Sequence, residues 1–315
     1  MGDLLDRRLI FVTGKGGVGK TTVAASLALL AAQRGRRTLV CEVDAKGNLA
    51  DFFETGPTAF EEREIAPDLW AMSMDTEASL RQYLSLQLKL PLVARIGPLA
   101  KMFDFVASAA PGVREIVTVG KLCWEVRERH YDTVVVDASA SGHIVSQLAA
   151  PQAINGLVQV GLVRQQTGWM LDILGDPATT GLVVVATPAE MPVTETLELV
   201  GQVEQDTNVD LAAVVVNRVL PELFSRSEEE LFERLDTDEP RAALDAALEG
   251  SSRPLLDAAR LMVGTRRGRT EHLERLRTGI ESRVPLLYVP YLFIRSHGLR
   301  ATHQVTDALA AELGY

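Results

Sequence analysis

Two lysines and two threonines sit on a glycine-rich run, Gly14-Lys15-Gly16-Gly17-Val18-Gly19-Lys20-Thr21-Thr22. This spacing suits phosphate chemistry. The glycines let backbone N–H groups close around phosphate oxygens, and the helix that opens at the loop adds the positive end of its dipole. The whole stretch from Gly14 through Val18 to Thr22 is the candidate cradle. Within it, Lys20 is expected to reach the β- and γ-phosphates of ATP, and the Thr21 hydroxyl to ligate Mg²⁺. A Gly-rich strand-to-helix turn matching by chance is the plainer alternative. The apolar strand before the run and the amphipathic helix after it weigh against that.

Two aspartates stand at the ends of other apolar runs. Asp44 follows Thr38–Val43, and Asp137 closes Thr133-Val134-Val135-Val136-Asp137. The second is a Walker B pattern, which places Asp137 to hold Mg²⁺ through water. Asp44 has a bland reading too, as a helix N-cap. Asn217-Arg218 and Pro290-Tyr291-Leu292 end two further apolar runs.

These residues need a frame that brings strand ends together. Candidate strands are Leu9–Thr13, Thr38–Val43, Trp70–Met74, Thr133–Asp137, Leu182–Thr187, Ala212–Asn217 and Leu286–Pro290. Several are continuous apolar runs, as parallel strands covered on both faces require. The first helix opens at the Gly-rich loop, runs through Val23–Gln33 and stops at Gly35. The expectation is one α/β domain over 1–315, with a doubly wound, mostly parallel sheet. Two stretches, 52–128 and 220–283, are mainly helical and are expected to form an inserted layer.

Composition limits the function. A chain of 315 residues, 47% hydrophobic and 23% charged, is ordinary for a globular protein. A formal net charge of −10 argues against nucleic-acid partners, which demand clustered Lys and Arg. The two cysteines, Cys41 and Cys123, form no CxxC pair, so neither a disulfide framework nor a zinc site is expected. With no signal peptide and no apolar run of membrane-spanning length, the expected location is cytoplasmic.

The form Gly-Lys-Gly-Gly-x-Gly-Lys-Thr resembles the deviant Walker A of dimeric ATPases. Asp44-Ala45-Lys46-Gly47-Asn48-Leu49 resembles the first switch, Asp-Pro-Ala-His-x-Leu, of the ArsA-like and tail-anchored-protein-targeting ATPases, without its proline and histidine. Asp137-Ala138-Ser139-Ala140-Ser141-Gly142-His143 is similar to their second switch, Asp-Thr-Ala-Pro-Thr-Gly-His. Asp75-Thr76-Glu77-Ala78 and Pro111-Gly112-Val113-Arg114-Glu115 match further landmarks, and the likeness is greatest to actinobacterial ArsA-like paralogues. The resemblance implies that Lys15 reaches nucleotide bound in a partner subunit and that Asp44 positions the attacking water. Gly142 would donate its N–H to the γ-phosphate, while Asn217, Arg218 and the Pro290-Tyr291-Leu292 loop contact adenine. Glu195 would face the partner's nucleotide. The implied assembly is a homodimer or a heterodimer with a paralogue. The apolar stretches Leu99–Val106 and Ile154–Leu174 either pack in the core or line a groove for a hydrophobic membrane-protein client.

Overall fold

Strand β1 (Leu9–Gly14) is buried along its whole length. Its side chains divide between two cores: Leu9 and Phe11 enter one, Ile10 and Val12 the other. A strand that is apolar on both faces forces helices onto both, because neither face can be left to water. The structure is a computed structural model and describes residues 4–44, 48–88, 112–157, 161–235, 237–280, 284–294 and 298–315.

The other strands are β2 (Thr38–Glu42), β3 (Arg63–Ala66), β4 (Leu69–Ser73), β5 (Thr133–Asp137), β6 (Thr180–Ala186), β7 (Leu211–Val219) and β8 (Leu286–Pro290). Among the described residues they form one sheet in the order β3-β4-β2-β5-β1-β6-β7-β8. Every pairing is parallel except β3 with β4. From β1 the chain builds outward to β2 on one side and later to β6 on the other. The strand order therefore reverses at β1, which puts a crevice at its carboxyl end.

The helices are α1 (Lys20–Gln33), α2 (Asn48–Phe52), α3 (Thr76–Leu88), α4 (Val113–Arg127), α5 (Ser141–Leu157), α6 (Leu162–Gly175), α7 (Glu190–Asp206), α8 (Arg226–Leu235), α9 (Asp238–Ala247), α10 (Arg253–Gly279) and α11 (Leu299–Leu313). One face of the sheet is covered by α1 and α11, through residues such as Leu27, Val305 and Leu309. The opposite face receives Leu122 of α4, Ile144 of α5, Met170 of α6 and Val193 of α7. Helix α1 is buried from Val23 to Ala32. Its small residues let α11 approach, and Ser26 donates to the Thr302 carbonyl at 3.2 Å. The chain leaves α1 at Gly35, whose φ of 76° turns the backbone out of the helix.

The doubly wound sheet expected from the sequence is observed. Two strand boundaries differ by more than one residue: β6 begins two residues before Leu182, and β7 runs on through Val219. Helix α1 opens at the loop, at Lys20, as expected. Strand β3 was not expected at all. Its residues, Arg63-Glu64-Ile65-Ala66, are exposed or half-buried, and only pairing with β4 makes them a strand. Of the two apolar stretches, Leu99–Val106 lies outside the described residues, and Ile154–Leu174 spans two helices, α5 and α6. Residues 45–47 of the first switch and Pro111 also lie outside the described residues.

Candidate nucleotide site

The loop between β1 and α1 is fixed by two contacts that only glycine allows. Gly14 has φ 148°, and a Cβ there would run into the Val185 carbonyl of β6. Gly19 has φ 97°, and a Cβ there would strike the Asn217 amide. Asn217, at the end of β7, donates from Nδ2 to the Val18 carbonyl at 2.8 Å. Thr13 donates to the Ser139 carbonyl at 2.7 Å, tying the start of the loop to the segment after β5. The loop is thus held from three strands at the carboxyl edge of the sheet. Such anchoring keeps its N–H groups aimed before any ligand arrives.

Beside the loop lies a cleft of about 480 Å³, within the range of small-molecule sites. Its walls include Gly16, Gly17, Gly19, Lys20, Thr21 and Thr22 from the loop. Opposite them stand Asp44, Asp137, Ala138, Ala140 and Arg218. Gly14 and Val18 lie behind this surface, and so does Asn217, whose hydrogen bond shapes the loop. Gly142 lies in the first turn of α5, where backbone N–H groups have no helical acceptor. His143 next to it is exposed.

Five further predicted site residues, Lys15, Glu195, Pro290, Tyr291 and Leu292, fall outside the cleft walls. Lys15 is ion-paired with Glu195 of α7 in the same chain. Pro290 and Tyr291 lie at the end of β8 beside Val219, where the Tyr291 N–H donates to the Val219 carbonyl at 2.8 Å. The Tyr291 ring packs edge-on against Phe293 at 5.0 Å, and Leu292 packs into the core on the α1 side. Three wall residues were missed by sequence reading: Glu42, Asp51 and Phe52. The available signal for Glu42 was a charged residue ending an otherwise apolar strand.

Asp137 is the chemical centre of the cleft. It is 6% exposed, and its Oδ2 accepts a hydrogen bond from Thr21 at 2.6 Å. Its Oδ1 is buried without a hydrogen-bond partner. Burial pushes the Asp137 pKa up to about 6, against the lowering effects of Thr21 and Lys20, and Glu42 and Asp44 add to the rise. A buried carboxylate with an unused oxygen, a threonine hydroxyl beside it and further acids on the same walls suit a hard divalent cation. Magnesium therefore fits these residues. Among the described residues no three acidic, histidine or cysteine side chains gather tightly enough to hold a metal by themselves. A cation here would take its remaining ligands from phosphate and water.

A glycine cradle at the carboxyl edge of a parallel sheet, with a threonine and a buried aspartate poised for a cation, defines a P-loop nucleotide-binding protein. The sequence matches the anion-transporting ATPase family over residues 7–171 and 159–241, and the chain belongs to that family. It is 32% identical to the ATPase BagA of Mycobacterium tuberculosis, over 97% of this chain and 93% of that protein. It is 27% identical to a putative arsenical pump-driving ATPase of Halobacterium salinarum, over 69% of this chain and 36% of that one. It is 33% identical to the ATPase GET3 of Chaetomium globosum, over 55% of this chain and 52% of that one. At the level of the family the activity is ATP hydrolysis. Among the described residues no helix is long and apolar enough to cross a membrane.

Proposed function

We propose that this chain is a magnesium-dependent ATPase that works as a dimer and couples its nucleotide state to the helical segments 52–128 and 220–283. The observation that carries the reading is Asp137, buried beside Thr21 and the phosphate cradle with Oδ1 unused. Thr21 and Asp137 would hold magnesium, which when bound would supply charge neutralisation to the nucleotide's phosphates. Lys20 and the loop N–H groups bind the same phosphates and fix the γ-phosphorus for in-line attack. Asp44, exposed at the end of β2, orients the attacking water, and the Gly142 N–H faces the γ-phosphate. Lys15 leaves Glu195 and enters the neighbouring subunit's site, where Glu195 also comes to face nucleotide. The Asn217-Arg218 and Pro290-Tyr291-Leu292 segments flank the base once the second subunit closes over them.

The direct test is phosphate release from ATP with magnesium, compared with Lys20→Ala and Asp44→Asn, with subunit mass followed in parallel. Turnover that needs Lys20 and Asp44, together with ATP-dependent doubling of mass, is expected. Hydrolysis indifferent to both substitutions would overturn the reading. The partner subunit is either a second copy or a paralogous ATPase, and mass measurements on the chain alone and with a paralogue separate these.

A second reading, as a nucleotide-switched carrier of a hydrophobic client, is favoured by exposed leucines on the segment 220–283. Leu248, Leu255 and Leu261 are 50%, 60% and 71% exposed. Lipid or membrane protein that co-purifies and is released by ATP supports it; its absence from freshly isolated protein counts against it.

A further inference from the structure

Glu42 closes β2, a strand otherwise of threonine, leucine, valine and cysteine, and is only 1% exposed. A carboxylate is rarely so buried unless its surroundings give it a task. Its neighbours are set by register. Glu42 lies directly beside Asp137 on β5 and beside Ser73 on β4. Adjacent strands run about 4.8 Å apart, so in-register side chains on one face are neighbours.

The face is fixed by alternation. Val40, two residues before Glu42, and Val135, two before Asp137, both enter the core beneath α1. Glu42 and Asp137 therefore share the α1 face, the side from which Thr21 reaches Asp137. Glu42 is also a wall of the same cleft as Lys20, Asp44 and Asp137. On its far side the Ser73 hydroxyl lies 3.5 Å from Glu42 Oε2, and Ser73 is itself 2.5 Å from Thr58. A polar row thus crosses three strands, and its inner end is the unused buried oxygen of Asp137.

We propose that Glu42 is a positioning residue of the cleft, the second carboxylate of the cation site. Beside Asp137 it would accept hydrogen bonds from water on the cation, in the cleft that Lys20 and Asp44 also line. Ser73 and Thr58 steady its carboxylate from behind. This assignment rests on the reading of the cleft as a magnesium–nucleotide site. It goes beyond that reading in naming a residue that acts through water, on a strand that is not paired with β1 in the sheet. Outer carboxylates of this kind are worth roughly tenfold to a hundredfold in metal affinity.

The test uses Mn²⁺ as the probe. Its affinity for the protein–ADP complex is read by electron paramagnetic resonance in wild type, Glu42→Gln and Glu42→Asp, and ADP binding is measured separately in EDTA. For Glu42→Gln the expected result is a roughly tenfold or greater loss of Mn²⁺ affinity, with metal-free ADP affinity and melting temperature undiminished. Glu42→Asp, which keeps the charge, is expected to recover part of the loss, and it serves alone if the glutamine variant does not fold. Unchanged Mn²⁺ affinity in the variants overturns the proposal, as does a loss matched by equal loss of metal-free ADP binding. Failure of the wild type to bind ADP at all removes the nucleotide reading instead, so the two failures are distinct.

Discussion

Lys15 and Glu195 are ion-paired across 180 residues of sequence, joining the phosphate loop to α7 within a single chain. Their side chains are 28% and 31% exposed. A pair so open to solvent contributes at most about 1 kcal/mol. Several phosphate oxygens offer a lysine far more charge than one half-exposed carboxylate does. The cis pair therefore does little to hold Lys15 in place, as the proposed trans role requires.

Lys15→Ala tests the proposed trans role. A cation supplied across a subunit boundary acts on the transition state more than on ground-state binding, as an arginine finger does. Turnover is expected to fall by about a thousandfold or more, with ATP affinity changed only a few-fold. Steady-state phosphate release and equilibrium binding of a slowly hydrolysed analogue measure the two. Wild-type turnover in Lys15→Ala would remove the trans role, and equal loss in both would make Lys15 a plain binding residue.

Asn217→Ala separates loop architecture from base recognition. The substitution leaves the buried Val18 carbonyl without its 2.8 Å donor, at a cost of about 1–3 kcal/mol. It also frees the Gly19 turn that Asn217 packs against. Stability and affinity for every nucleoside triphosphate should drop together, since the loop serves phosphate whatever the base. Selective loss of ATP binding with GTP binding intact would instead assign Asn217 to adenine.

Asp137 gives the site a pH signature that can be read without ligands. Burial lifts its pKa from 3.8 to about 6. Because the folded value lies above the unfolded one, the favourable contribution to stability is complete below about pH 4. It is lost as pH rises through about 6, where the charge must be carried in a buried place. The difference is on the order of 3 kcal/mol, at about 1.4 kcal/mol per pKa unit. In cation-free buffer, Asp137→Asn should therefore unfold at higher denaturant than wild type at pH 7.5 and match it near pH 4. Magnesium with ADP should then stabilise wild type and leave the variant little changed. Equal stabilities at pH 7.5 would show that the ionised carboxylate is already well compensated.

The sequence displayed the strands because their burial is two-sided. Val134, Val135 and Val136 carry no alternation, and neither do Val183, Val184 and Val185, so each announces a parallel strand with cover on both faces. The phosphate loop was legible because its function depends on local spacing. Glu42 was not, since its meaning arises from register with a residue far along the chain, Asp137. The Lys15–Glu195 pair is hidden for the same reason. Strand β3 was invisible because nothing in Arg63–Ala66 prefers a strand until β4 supplies the partner, with Glu64 set opposite Trp70. Local chemistry is written in local sequence, whereas cross-strand chemistry waits for the sheet.

A last contrast comes from the buried charges that line no part of the cleft. Lys121 of α4 lies 2.5 Å from Glu125 and 3.0 Å from Glu62, and sits 5.3 Å from the centre of the Phe60 ring. Burial alone would depress its pKa, but the two carboxylates outweigh that and hold it raised. The Lys121 and Glu125 side chains are 5% and 3% exposed. Removing the lysine leaves buried Glu125 with His130, whose Nδ1 lies 2.6 Å from its Oε2, as a remaining partner, and breaking the ion pair costs up to about 3–5 kcal/mol. Lys121→Met should lower the melting temperature clearly while leaving ADP affinity as it was. Adding Glu125→Leu removes the buried charge and leaves the half-exposed His130 ring to water. It should recover part of the loss, because an apolar pair of similar volume replaces an ion pair at little cost. If Lys121→Met also weakened ADP binding, the cluster would belong to the nucleotide response rather than to the scaffold.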